Sequence, residues 1–91
     1  GLFDFRPTIA QLKVFPNPTA GPAMIELPVA LQGQQLQLEV FDVLGRQQVD
    51  YYYQAGDQPR VDLSQLPAGW YTIRLSESGN ALGTGRVLLQ K

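Results

Sequence analysis

The stretch LQLEVFDVLGRQQVDYYY, residues 36–53, decides the fold class. In its first half Leu36, Leu38 and Val40 alternate with Gln37 and Glu39, the period of a strand with one face on a core. Asp42 and Gly45 then supply turn chemistry: a carboxylate able to accept backbone hydrogen bonds, and a residue for which positive φ is cheap. Arg46 stands where it can reach back to Asp42, and a second alternation follows with Val49, Tyr51 and Tyr53 on one face. One strand, a designed turn and a second strand make an antiparallel hairpin.

The same grammar extends in both directions. Leu12 and Val14 alternate with Gln11 and Lys13, Ile25 and Leu27 form a pair closed by Pro28, and Arg60 to Leu63 is a short strand. WYTIRLS, residues 70–76, alternates Tyr71, Ile73 and Leu75 against Thr72, Arg74 and Ser76, and RVLLQ, residues 86–90, is the last run. No stretch keeps the spacing of an amphipathic helix beyond a turn. About seven short strands predict an all-β, antiparallel sandwich of two packed sheets. Residues 1–11 read as a linker from an upstream domain, and residues 12–91 as the folded domain.

Composition narrows the function. A chain of 91 residues buries only about 60 to 65% of its unfolded surface, enough for a modest core and not for a deep substrate cavity. Hydrophobic residues at 44% and charged residues at 16% describe a folded domain, and a net charge of −1 offers no footprint for nucleic acid. The apolar runs fall far short of the roughly 20 residues of a membrane-crossing helix, so no transmembrane segment is expected.

Cysteine and histidine are both absent, which removes Cys/His dyads, Ser/His/Asp triads, the usual zinc sites and disulfides. Asp42, Asp50, Asp57 and Asp62 fit no calcium-loop spacing, and Ser64 has no base to activate it. The expectation is a non-enzyme without cofactor or metal. The chain opens on Gly1 without an initiating methionine or signal peptide, which reads as a piece of a longer precursor.

Two further stretches are unusually stiff. In FPNPTAG, residues 15–21, Pro16 and Pro18 flank Asn17, Thr19 offers a hydroxyl to the local backbone, and Gly21 closes the corner. In LSQLPAGWY, residues 63–71, Pro67 sets the backbone before the strand that carries Tyr71. Trp70 and the tyrosine run 51–53 serve either sheet packing or an exposed binding platform, with Tyr52 on the face opposite Tyr51 and Tyr53.

Taken in order, these segments resemble the type A C-terminal sorting domain of the type IX secretion system of Bacteroidota. The resemblance rests on Pro16, Asn17, Pro18 and Gly21; on Phe41, Asp42, Gly45 and Arg46; on Leu63, Leu66, Gly69 and Tyr71; and on Gly85, Arg86, Val87 and Lys91 at the end. Arg86 stands where the family often has lysine. The resemblance implies an Ig-like sandwich of seven strands that acts as an address for an N-terminal cargo domain. It implies transit through the periplasm, handling by the type IX translocon and shuttle components, and arrival at the cell surface or in the medium. It also implies removal, in many members, by a sortase-like cell-surface cysteine peptidase cutting upstream of the motifs, within residues 1–11. The last strand, Gly85 to Lys91, is the expected contact, through its cations or by adding to a partner's sheet. The rival readings are an accessory sandwich binding carbohydrate or protein through Trp70 and Tyr52, and an inert spacer.

Overall fold

A computed structural model of the chain describes residues 9–32, 35–53 and 58–91, without the side chains of Ala30 and Tyr51–Tyr53. Within them eight strands form two sheets. The strands are β1 (Ala10–Gln11), β2 (Lys13–Phe15), β3 (Pro22–Glu26), β4 (Leu36–Phe41), β5 (Gln47–Tyr53), β6 (Arg60–Asp62), β7 (Gly69–Glu77) and β8 (Asn80–Leu89). The larger sheet has the order β1-β8-β7-β4-β5 and the smaller β2-β3-β6. The two pack as an Ig-like antiparallel sandwich, as the alternation predicts. A 3-10 turn at Val29–Leu31 is the sole helical element among the described residues.

Seven of these strands occupy the segments expected from the sequence, with shifted ends. β3 ends at Glu26, leaving Leu27 half-buried just beyond it. β8 starts at Asn80, well before Arg86, because Ser78 and Gly79 both take positive φ and close a two-residue hairpin that runs β7 straight into β8. The eighth strand is Ala10–Gln11, which pairs in parallel with Gly83 and Thr84 at the sheet edge. The chain then changes sheets at Leu12, whose N–H still donates to the Thr84 carbonyl at 2.7 Å.

The core follows the alternation. Leu36, Leu38, Val40, Tyr71, Ile73, Leu75, Val87 and Leu89 face inward from the larger sheet and meet Leu12, Val14, Ala23, Ile25, Val61 and Leu63 from the smaller side. β2 passes so close over β8 that a Cβ on Gly85 would sit 2.7 Å from the Leu12 carbonyl oxygen. A glycine is required there for lack of space, whatever its backbone angles. The outward faces are the polar halves of the same strands, with one correction. Glu39 points outward as its parity requires, yet it is only 7% exposed, because Arg74 and Ser76 on β7 close over it.

Candidate functional site: four motif segments around Arg86 and Trp70

Each expected turn forms by local chemistry. In the 41–46 turn the Asp42 carboxylate is the hub. Its Oδ1 accepts from the Leu44 and Arg46 N–H groups, each at 2.9 Å, and its Oδ2 accepts from Arg46 Nε at 2.9 Å and Gln48 Nε2 at 3.1 Å. The Arg46 N–H does most to hold this carboxyl below the ordinary aspartate range. Gly45 adopts φ +80°, the left-handed geometry that the turn needs. Phe41 ends β4 beside a β-bulge that re-aims the strand into the turn.

The 63–71 segment folds as a corner. Leu63 is fully buried, the Leu66 N–H donates to the Leu63 carbonyl at 2.9 Å, and Leu66 packs against the core. Gly69 begins β7 opposite Leu89. Tyr71 is buried, and its hydroxyl donates back to the Pro67 carbonyl at 2.5 Å, pinning the corner to the strand that leaves it.

The 15–21 corner has both a local and a distant role. Both X-Pro bonds, Phe15–Pro16 and Asn17–Pro18, are cis. Locally the buried Thr19 hydroxyl donates to the Pro22 carbonyl and accepts from the Gly21 N–H at 3.1 Å. At a distance, Asn17 reaches β8: its Nδ2 donates to the Arg86 carbonyl at 3.1 Å and its Oδ1 accepts from the Leu88 N–H at 3.0 Å. Thr19 continues the same line, donating to the Leu88 carbonyl and accepting from the Gln90 N–H, both at 2.9 Å. Sequence reasoning missed this long-range role. An asparagine fixed between two prolines, with its carboxamide free to imitate a peptide group, was the available signal.

These contacts correct the expectation that β8 can add to a partner's sheet. Its outer edge is taken by β1 and Leu12 as far as Thr84, and by Asn17 and Thr19 from Arg86 to Gln90. What β8 presents to solvent is its outward side chains. Of the four residues singled out at the end of the chain, Gly85 and Val87 are buried, whereas Arg86 and Lys91 are exposed.

On that outward face the structure gathers groups from separate segments. The Arg86 guanidinium lies over the Trp70 ring, 4.8 Å from its centroid, and that of Arg74 lies 4.7 Å from the Phe41 centroid. Arg74 also makes a two-pronged ion pair with Glu39, Nε to Oε1 at 3.0 Å and Nη2 to Oε2 at 2.9 Å, and Ser76 donates to the same carboxylate at 3.0 Å. These bonds, Arg74 first, hold the Glu39 carboxyl below its ordinary range. Trp70 is 42% exposed and Val43 75%. Asp50 lies further along the face, accepting from Gln37 Nε2 at 2.5 Å, and Asp62 bonds the Ser64 N–H in the other sheet. Asp57 and the side chain of Tyr52 lie outside the described residues, and no helix among the described residues is long and apolar enough to cross a membrane.

This arrangement can recognise, through charge, aromatic surface and shape. A family model described as the secretion system C-terminal sorting domain matches residues 13–90. No curated relative matches the chain.

Proposed function

The chain belongs to the family of secretion system C-terminal sorting domains, the C-terminal sorting signals of type IX secretion, and from that premise we propose that its exposed last-strand cations are the part of the signal that is read. As such a signal, the domain marks a cargo protein for export by the type IX system to the cell surface or the medium. The proline corner, the aspartate hub and the tyrosine-pinned corner are the scaffold of that signal. They hold Arg86 in a set position on a rigid sheet, so that the folded surface itself is the address.

The translocon and its shuttle components recognise that surface during passage through the periplasm. A sortase-like cysteine peptidase at the cell surface then cuts within residues 1–11 and separates cargo from signal. The observation that carries the reading is the convergence of all four motif segments on one stretch of β8. Asn17 holds its backbone, Trp70 stacks on its arginine, the Phe41 turn flanks it, and Arg86 itself faces solvent.

The test is localisation of an inert fluorescent cargo carrying an export signal in a type IX-competent host. Removing Gly85 to Lys91 is unsuitable, because it deletes the buried Val87 and Leu89 from the core together with the cations to be tested. The comparison is therefore the cargo with the 91-residue chain, without it, and with Arg86→Gln plus Lys91→Gln. Surface delivery by the chain and periplasmic retention of the double variant are expected. Equal delivery with and without the chain would refute the reading.

The carbohydrate-platform reading loses support from the same geometry, since a sugar stacking on Trp70 competes with Arg86 for the ring.

A further inference from the structure

The residues across β8, β7 and β4 make a trough. Thr72 is its floor, paired in register with Arg86 on one side and Phe41 on the other. Arg86 leans over Trp70 to form one wall, and Arg74 leans over Phe41 to form the second. Thr84, beside Arg74 in the adjacent row, and the turn residues Asp42 and Val43 also line it, the Asp42 carboxylate being paired with Arg46. None of these positions was legible as a group in the sequence, where they are spread from residue 41 to residue 86.

The two walls are electrostatically unequal. The Arg74 charge is answered by Glu39, in a pair that also satisfies Ser76. Arg86 has no carboxylate partner among the described residues. Its guanidinium carbon lies over the Trp70 ring, 4.8 Å from the centroid, and the residue is exposed to solvent and so open to a ligand. An arginine already positioned over an aromatic ring has less freedom to lose on binding, which favours two-pronged capture of a carboxylate. Beyond the Trp70 end, the exposed Val43 and Leu44 of the 41–46 turn add apolar surface.

We infer that this trough is the docking site for an acidic, extended segment of a partner protein, with one Asp or Glu carboxylate on Arg86 and a neighbouring apolar side chain against Trp70 and Val43. Charge complementarity selects this occupant. The site presents a single unanswered cation beside apolar surface, which suits a carboxylate next to a hydrophobic residue. It suits an anionic membrane poorly, because that attraction needs several clustered cations. The inference deepens the sorting reading and rests on it, since it gives the chemistry of the surface that the export machinery must present.

Trp70 is the only tryptophan, so its fluorescence reports directly on the site. The probe is the blocked peptide Ac-Ser-Leu-Asp-Leu-Asp-Ser-NH2, compared with its counterpart carrying Asn at both Asp positions, and with laminarihexaose as a sugar control. The acidic peptide is expected to shift the Trp70 emission with a Kd of about 1 mM, the range of a single weak site, and the Asn peptide to leave it unchanged. Arg86→Gln should weaken binding about tenfold.

Thr84→Glu is the second variant. It offers the two arginines a carboxylate from within and should compete with the peptide, while Thr84→Gln should not. Both leave every described core contact in place, so an unchanged amide spectrum establishes the fold. Equal binding of the acidic and Asn peptides, or a response to the sugar alone, overturns the inference. In the export host, Thr84→Glu should retain cargo that Thr84→Gln delivers. If both deliver it, the trough is not the surface that is read, and the domain's role as a sorting signal stands without it. If the unaltered chain fails to deliver cargo, the sorting reading falls, and the peptide titration still decides the trough.

Discussion

The carboxamide of Asn17 lies against Leu88 as a peptide group of a neighbouring strand would, accepting from the Leu88 N–H at 3.0 Å while its Nδ2 donates to the Arg86 carbonyl at 3.1 Å. A side chain thereby takes the place of one residue of strand pairing. The edge of β8 is closed without a long neighbouring strand, and one row of groups that edge-to-edge association would use is occupied.

Asn17→Ala should remove both bonds and leave the Leu88 N–H to solvent. Because the site is exposed, the cost is modest, about 1 kcal/mol, which for a domain of this size lowers Tm by about 4–8 °C. Hydrogen exchange provides the sharper check. The Leu88 amide should exchange faster in the variant while amides of β4 keep their protection, and an unchanged Leu88 rate would show that the carboxamide does not protect the edge.

Gly85→Ala should destabilise more than Gly83→Ala. At Gly85 the added Cβ meets the backbone carbonyl of Leu12 at 2.7 Å and Val14 Cγ2 at 3.0 Å, so β2 itself has to move. At Gly83 the two nearest atoms, at 2.7 and 3.0 Å, belong to the buried Leu12 side chain, and the nearest backbone atom, the Ala10 carbonyl oxygen, is further off at 3.3 Å. Overpacking of the first kind costs about 1–3 kcal/mol. Urea denaturation of the two variants side by side decides the order.

Glu39 makes stability depend on pH. Its folded-state carboxyl titrates below the ordinary value of 4.5, so the unfolded chain binds the proton first as pH falls. The contribution of the pair with Arg74 is therefore complete above that value and is lost as pH drops through the lower, folded value. Glu39→Gln should be less stable than the parent at pH 7, and the two should converge as the pH falls below 4.5 and through the lower, folded value. Thermal melts across that interval measure the difference, and a constant gap would rule out titration of this carboxyl as its source.

Tyr71→Phe should keep the packing of the ring and lose the bond to the Pro67 carbonyl. The expected cost is about 1 kcal/mol, with the loss centred on the 63–71 corner. Chemical shifts of Leu66 and Gly69 should move more than those of β4. A variant as stable as the parent would mean that Pro67 and the burial of Leu63 hold the corner by themselves.

Alternation alone determined the all-β sandwich, because a period of two in short apolar runs is compatible with little else, and proline, glycine and aspartate in the turns identified the corners. The Asp42 hub and the positive φ of Gly45 were legible for the same reason: their partners lie within a few residues. The β7–β8 hairpin was readable in principle from Ser78 and Gly79. The two-residue β1 lacks the length to show a period.

Only the tertiary structure decided what lies between distant segments. Parity placed Glu39 on the outward face, yet its burial depends on Arg74 and Ser76, more than thirty residues away. Asn17 read as a turn residue, and the fold made it the closing group of a strand 69 residues on. Arg86 read as one of two cations on an edge, and the register of β7 with β8 put it over Trp70 and left its charge unanswered among the described residues. Local conformation depends on neighbours in the chain, whose identities the sequence states. Recognition surfaces depend on strand register and sheet order, which emerge only when the core is packed.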